Sequence, residues 1–290
     1  RGMGRPLDIR RAKRVIARDE AVVYYFVTDS EIFGEYRLDI FVITKNGIVH
    51  REVLGSVVEE ADLYLDEFLE KLSSPIPEWD EESSEILYDV FILPIANDLI
   101  GKKRICIIPE GKLNYIPFQA LKNNSTNKFL IEDYAIYYTP SLSTLMWLRS
   151  FGTYGGRELF AVGDPVFDQI ETEIDVLTMR SNLDPLPASR DEVLALEDVY
   201  ESDAMVYLSK ESTESNFKRV APDYGILHIA SHGLVDDYSP LYSSIAFTKE
   251  NSEDGFLEVR EIFNMVLNAD LAVLSACKTG IGHNLNGEGM

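Results

Sequence analysis

Apolar positions change period repeatedly along this chain, and each change marks a different element. AVVYYFVT (21–28) and LDIFVIT (38–44) are rich in β-branched and aromatic residues, as strands are. Asn46-Gly47 is a tight-turn signal before IVHREVL, so 38–54 reads as a hairpin. A short basic helix over 7–19 precedes these strands. Over 56–72, Val57, Val58, Ala61, Leu65, Phe68, Leu69 and Leu72 recur at helical spacing, with acids opposite. A loop rich in Ser, Pro and acids (73–81) leads to a second helix over 82–100, which Pro94 kinks or breaks. RICIIP (104–109) reads as a short buried strand, YAIYYTP as another, and 141–150 as a helix.

Thr153-Tyr154-Gly155-Gly156 is the best internal boundary, dividing the chain into 1–152 and 153–290. Beyond it the α/β rhythm is regular. Strand 158–163 ends in Asp164-Pro165, and a polar loop spans 167–188. Ser189 followed three residues later by Glu192 has the pattern of a capping box. A strand (204–208), a helix (213–220), the strand GILHIAS (225–231), a hairpin-like excursion (SSIAFT), a helix (258–267) and the strand DLAVLSA (270–276) complete the series. Strands alternating with helices predict an α/β fold with a mostly parallel sheet and right-handed crossovers.

Two of these strands end in reactive side chains. GILHIAS and DLAVLSA are continuous apolar runs, the pattern of strands buried on both faces. The first stops at His232-Gly233 and the second at Cys277. Sites in open parallel sheets form outside the carboxyl ends of the strands. One helical crossover separates the two, so neighbouring places in the sheet are expected, about 4.8 Å apart. An imidazole at that edge draws the thiol proton and leaves a thiolate, the species that attacks a carbonyl. The backbone N–H groups of Gly233 and Cys277 are candidates for an oxyanion hole; Gly280 and Gly282 also follow the cysteine.

For Cys277 alone the competing reading is a small buried hydrophobe, and pairing with His232 reverses the preference. His228 and His232 are four residues apart, but on a strand that is about 13 Å, too far to share a metal. His228 therefore reads as a core or supporting residue, His50 as exposed, His283 as a loop residue near Cys277, and Cys106 as inert inside its apolar strand. No metal or cofactor is expected.

Composition narrows the partners. The chain has 290 residues and a net charge of −22, from 27 basic and 49 acidic side chains. Arg10, Arg11, Lys13 and Arg14 form the only basic cluster and read as a solvated helix face, which argues against direct nucleic-acid binding. Two cysteines far apart in sequence give no disulfide framework, so a reducing, cytoplasmic setting is the expectation. No apolar run approaches the ~20 residues of a membrane span, and the charged start shows no signal peptide. No G-x-S-x-G elbow or G-x-x-x-x-G-K-[ST] loop occurs, so hydrolase-elbow and nucleotide-binding readings lack support.

IPEGKLNYIPFQAL (108–121), FLIEDYAIYYTPSLSTL (129–145), FAVGDP (160–165), LPASRDEV (186–193), LHIASHGLVDD (227–237), ADLAVLSACKTGIG (269–282) and GEGM (287–290) follow one another in order. With them the chain resembles the CHAT peptidase family, caspase-like domains often attached to tetratricopeptide repeats and related to separases and caspases. The resemblance implies a caspase-like three-layer sandwich, with a pseudo-protease-like half (1–152) beside a catalytic half (153–290). It implies His232 and Cys277 as the dyad, a protein substrate, and control by repeat or sensor regions of the same or another chain. Asp164, at the end of the first catalytic-half strand, and Asp236 and Asp237, after His232, become candidates for substrate binding; an ordinary Asp-Pro turn is the competing reading of Asp164. Glu288 reads as a loop anchor. The family pattern continues past Gly-Glu-Gly with a helix, a strand and a Trp-containing loop, so a chain ending at Met290 is expected to lack one wall of the cleft. A catalytically incomplete binding or scaffold module is the alternative function.

Overall fold

The computed structural model describes residues 9–30, 35–74, 78–150, 152–153, 155–167, 183–236, 238–250 and 252–276. They form two compact α/β units, one of residues up to 150 and one of residues from 152 onward.

The first unit runs α1 (Ile9–Val15), β1 (Glu20–Ser30), β2 (Glu35–Thr44), β3 (Ile48–Val53), α2 (Gly55–Ser73), α3 (Glu81–Phe91), β4 (Arg104–Ile108), β5 (Lys122–Asn123), β6 (Lys128–Phe129), α4 (Leu130–Asp133), β7 (Ala135–Tyr138) and α5 (Leu142–Leu148). Its main sheet has the order β3-β2-β1-β4-β7. The β1–β2 and β2–β3 pairs are antiparallel, whereas β1–β4 and β4–β7 are parallel. Alternation along the strands divides the side chains between two cores. Val23, Tyr25, Ile40 and Ile107 face α2 and α3 through Leu65, Phe68, Leu87 and Phe91. Val22, Cys106 and Ile108 face Ala12, Ile16, Leu142 and Leu145 on the other side. Pro94 ends the second helix rather than kinking it: α3 stops at Phe91, and Leu93–Leu99 is a 3-10 turn.

The second unit contains β8 (Leu159–Pro165), α6 (Pro187–Tyr200), β9 (Ala204–Ser209), α7 (Glu214–Val220), β10 (Ile226–Ala230), β11 (Gly233–Leu234), β12 (Ser244–Ala246), β13 (Phe256–Glu258), α8 (Val259–Ile262) and β14 (Leu271–Ser275). Its main sheet has the order β14-β10-β8-β9, parallel throughout, and β11-β12-β13 form a small antiparallel sheet. Val193 of α6 packs with Leu159, Ala161 and Ala230 on one face. Phe217, Ala221, Ile245, Phe247 and Leu257 cover Phe160, Val162, Leu227 and Ile229 on the other.

Three expectations need correction. The helix expected over 258–267 is only α8, four residues long. Met265, Leu267 and Ala269 then pack on the core while Val266 is 76% exposed, a two-residue alternation that belongs to extended chain. Ser189 is not a helix cap, because Pro187 occupies the first helical positions and Leu186 precedes them with no capping side chain. Finally, DLAVLSA is not buried on both faces: Leu271 and Leu274 are 51% and 47% exposed. Its strand β14 closes one end of the sheet order, and α6 packs mainly over β8 and β9. Among the described residues no helix is long and apolar enough to cross a membrane.

Candidate active site

β10 and β14 are direct parallel neighbours. Ile226 to Ala230 pair in register with Leu271 to Ser275. The Ser231 N–H donates to the Ser275 carbonyl at 3.2 Å, continuing the ladder one step beyond the last pair. In sequence, His232 and Cys277 each come two residues after the matched rung Ala230–Ser275. Cys277 lies outside the described residues, as do Asp237, Gly280, Gly282, His283 and Glu288.

The backbone around His232 is fixed to the small antiparallel sheet. The Ala246 N–H donates to the His232 carbonyl at 2.9 Å, and the Ser231 hydroxyl donates to the Ala246 carbonyl. Gly233 then pairs with Ile245 as the first residue of β11. The ring nitrogen Nε2 of His232 lies 2.8 Å from the backbone carbonyl oxygen of Asp184, just before α6. A carbonyl only accepts, so Nε2 carries a proton, and in neutral imidazole the lone pair belongs to Nδ1. The Phe167 ring, 5.4 Å away between centroids, adds an apolar contact to the imidazole.

The adjoining strand ends are crosslinked at the same rim. Asp164 has a positive φ of 49° where the β8–β9 register shifts. Its Oδ2 accepts from Arg190 Nε at 2.9 Å and from the Ser209 hydroxyl at 2.8 Å. Its N–H donates to the Ser189 hydroxyl at 2.8 Å. The Thr248 hydroxyl accepts from the Val166 N–H at 2.8 Å and donates to the Ser209 carbonyl at 2.7 Å. Asp236 closes a local turn instead: its Oδ1 accepts the N–H groups of Tyr238 and Ser239 at 3.0 and 2.8 Å. The same turn carries Tyr238, which is 98% exposed.

Below His232, His228 is 8% exposed and its Nε2 is 2.8 Å from Glu192 Oε1. Glu192 Oε2 accepts from the Ser275 hydroxyl at 3.1 Å. The sequence pattern assigned Glu192 to a helix cap; its partners show that it reaches across two strands. The spacing of Glu192 behind Pro187, one turn into a helix that starts there, is the signal that distinguishes the two readings. Cys106 belongs to the other unit, fully buried between Val22 and Leu142, and burial raises its thiol to about 12. A buried, protonated thiol is a poor nucleophile.

A further charged cluster sits away from the strand ends. Glu214, Glu253 and Glu261 converge within 4.8 Å, the kind of arrangement that holds a cation. The Lys218 ammonium is that cation, 2.6, 3.1 and 2.9 Å from the three carboxylates.

In parallel α/β units sites form at the carboxyl edge of the sheet, the edge at which β10 leads to His232. The CHAT domain family matches residues 81–290, and the chain belongs to that family, which is related to caspase-like cysteine peptidases. No curated protein matches the chain.

Proposed function

We propose that the protein is a cysteine endopeptidase that cleaves a specific protein partner through His232 and Cys277. The observation that carries this reading is the in-register parallel pairing of β10 with β14, from which both residues follow at equal distance along the chain. In this reading Nδ1 of His232 takes the Cys277 thiol proton while Nε2 stays bonded to the Asp184 carbonyl. The thiolate adds to the substrate carbonyl, and the Gly233 and Cys277 N–H groups receive the oxyanion. The imidazolium then protonates the leaving amine, and water releases the acyl group.

The caspase-like sandwich, the pseudo-protease role of 1–152, the catalytic role of 153–290, a cytoplasmic setting and control by repeat or sensor regions belong to this proposal, supported by family membership. Among the candidate substrate contacts, Asp164 already has Arg190 and Ser209 on its carboxylate, so a basic substrate side chain would compete with Arg190 for it. Asp236 and Asp237 retain their proposed place beside the substrate, with Asp236 presenting Tyr238. The test is Cys277→Ala and His232→Ala in the full chain, each assayed for cleavage of a peptide library or of the parent polypeptide. Both variants should lose cleavage by at least about a hundredfold, the lower range for a general acid–base residue. Full activity of Cys277→Ala would remove the proposal.

A second reading, a binding module without turnover, is favoured by the half-exposed apolar residues Leu271 and Leu274 on β14. It predicts that Cys277→Ala leaves partner capture unchanged and that no cleavage accompanies binding.

A further inference from the structure

We propose that Glu192 is a positioning residue of the dyad: its carboxylate joins His228 on β10 to Ser275 on β14 and so sets the spacing at which the two strand ends deliver His232 and Cys277. The inference rests on the dyad reading and adds to it a residue that touches neither substrate nor reacting atoms.

The geometry follows from strand parity. Residues 226, 228 and 230 share one face of β10, and 271, 273 and 275 share the matching face of β14. On that face α6 brings Glu192 over the groove between the strands. Its two oxygens then bond one strand each, at 2.8 Å to His228 and 3.1 Å to Ser275. Because a carboxylate only accepts, Nε2 of His228 and the Ser275 hydroxyl are both donors. Among the described residues the backbone ladder runs as far as the Ser231 N–H on the Ser275 carbonyl, and the His232 carbonyl already accepts from Ala246 of β12. Glu192 thus ties His228, on the His228–Val273 rung, to Ser275, on the last paired rung, one strand to the other.

The height of α6 is itself fixed. A Cβ on Gly163 would meet Val193 Cγ2 at 2.8 Å and the Ser189 carbonyl oxygen at 2.9 Å. The first turn of α6 thus rests directly on the β8 backbone, which leaves Glu192 with the reach to bridge both strands. A shorter or singly bonding side chain can satisfy only one of them, and small displacements at a reacting pair cost rate steeply.

The experiment measures alkylation of Cys277 by iodoacetamide at neutral pH, read by mass spectrometry on the full chain. Glu192→Gln and Ser275→Ala are each made with His232 intact and in the His232→Ala background, and folding is checked by circular dichroism. With His232 intact, each variant should slow alkylation by about tenfold. In the His232→Ala background neither should slow it further, because there is no imidazole left to position. Ser275→Ala removes only a hydroxyl and keeps the test open should Glu192→Gln fold poorly. An unchanged rate in both variants, or an equal loss in the two backgrounds, overturns the inference and leaves the dyad standing. A wild-type rate that His232→Ala does not alter overturns the dyad reading itself, and the inference with it.

Discussion

His232 and Asp184 are joined through a side-chain nitrogen and a backbone carbonyl, 2.8 Å apart. This bond selects between the two faces of the imidazole. It leaves Nδ1 as the basic atom of the neutral ring and turns the ring so that Nε2 points toward the segment before α6. The Nε2–H tautomer should therefore be seen directly. In a ¹⁵N-labelled sample at alkaline pH, the His232 ring should show a protonated Nε2 and an unprotonated Nδ1. The reverse tautomer would put the base on the wrong face and refute the proposed proton path.

Glu20 makes a separate prediction about acid stability. It is fully buried as the first residue of β1, where burial alone would raise its pKa. Arg149, the Tyr137 hydroxyl and the Ala17 N–H outweigh burial and hold the carboxyl at about 2. The Arg149 contacts are bidentate, at 2.7 and 2.6 Å. A depressed folded pKa contributes stability above the unfolded value and loses it as pH falls through the folded one. The fall from the ordinary 4.5 to about 2 is worth about 3 kcal/mol, all of it lost across that window. Urea unfolding should show this loss in wild type and a flatter acid limb in Glu20→Gln, which begins from lower stability at neutral pH. Parallel acid limbs would show that Glu20 is not held in this way.

Much of this architecture is legible in the sequence because it follows from strong local signals. Asn46-Gly47 makes the β2–β3 hairpin, the Leu65–Phe68–Leu72 stripe makes α2, and GILHIAS and DLAVLSA mark the strands that meet. Two of the readings that failed share a cause: the local pattern is real, but a distant contact uses it. Ser189 and Glu192 have the spacing of a capping box, yet Pro187 starts the helix earlier and frees both side chains for β8, β10 and β14. NMVLNA has helical composition, yet the core beneath it takes Met265, Leu267 and Ala269 in alternation. Nothing near His232 in sequence names Asp184, 48 residues away, as its partner.

Lys218 tests whether the three-glutamate cluster is a structural tie. Burial pushes the Glu214 carboxyl above its ordinary value despite Lys218 beside it. Burial would lower the Lys218 ammonium, but Glu214, Glu261 and Glu253 together raise it above 10.5. A cation with a raised folded pKa contributes its stability below the unfolded value and loses it as pH climbs through the folded one. Replacing it by Lys218→Met leaves Glu214, 1% exposed, facing two further carboxylates with no counter-charge. The expected cost is about 2 to 3 kcal/mol at neutral pH, toward the lower end for a broken buried pair because Lys218 retains some solvent contact. Pairing Lys218→Met with Glu214→Gln should recover part of that loss, since the carboxylate that suffers most is then neutral. Thermal unfolding of the two single variants and the double variant measures the coupling. Strict additivity would mean that the cluster makes no joint contribution to stability.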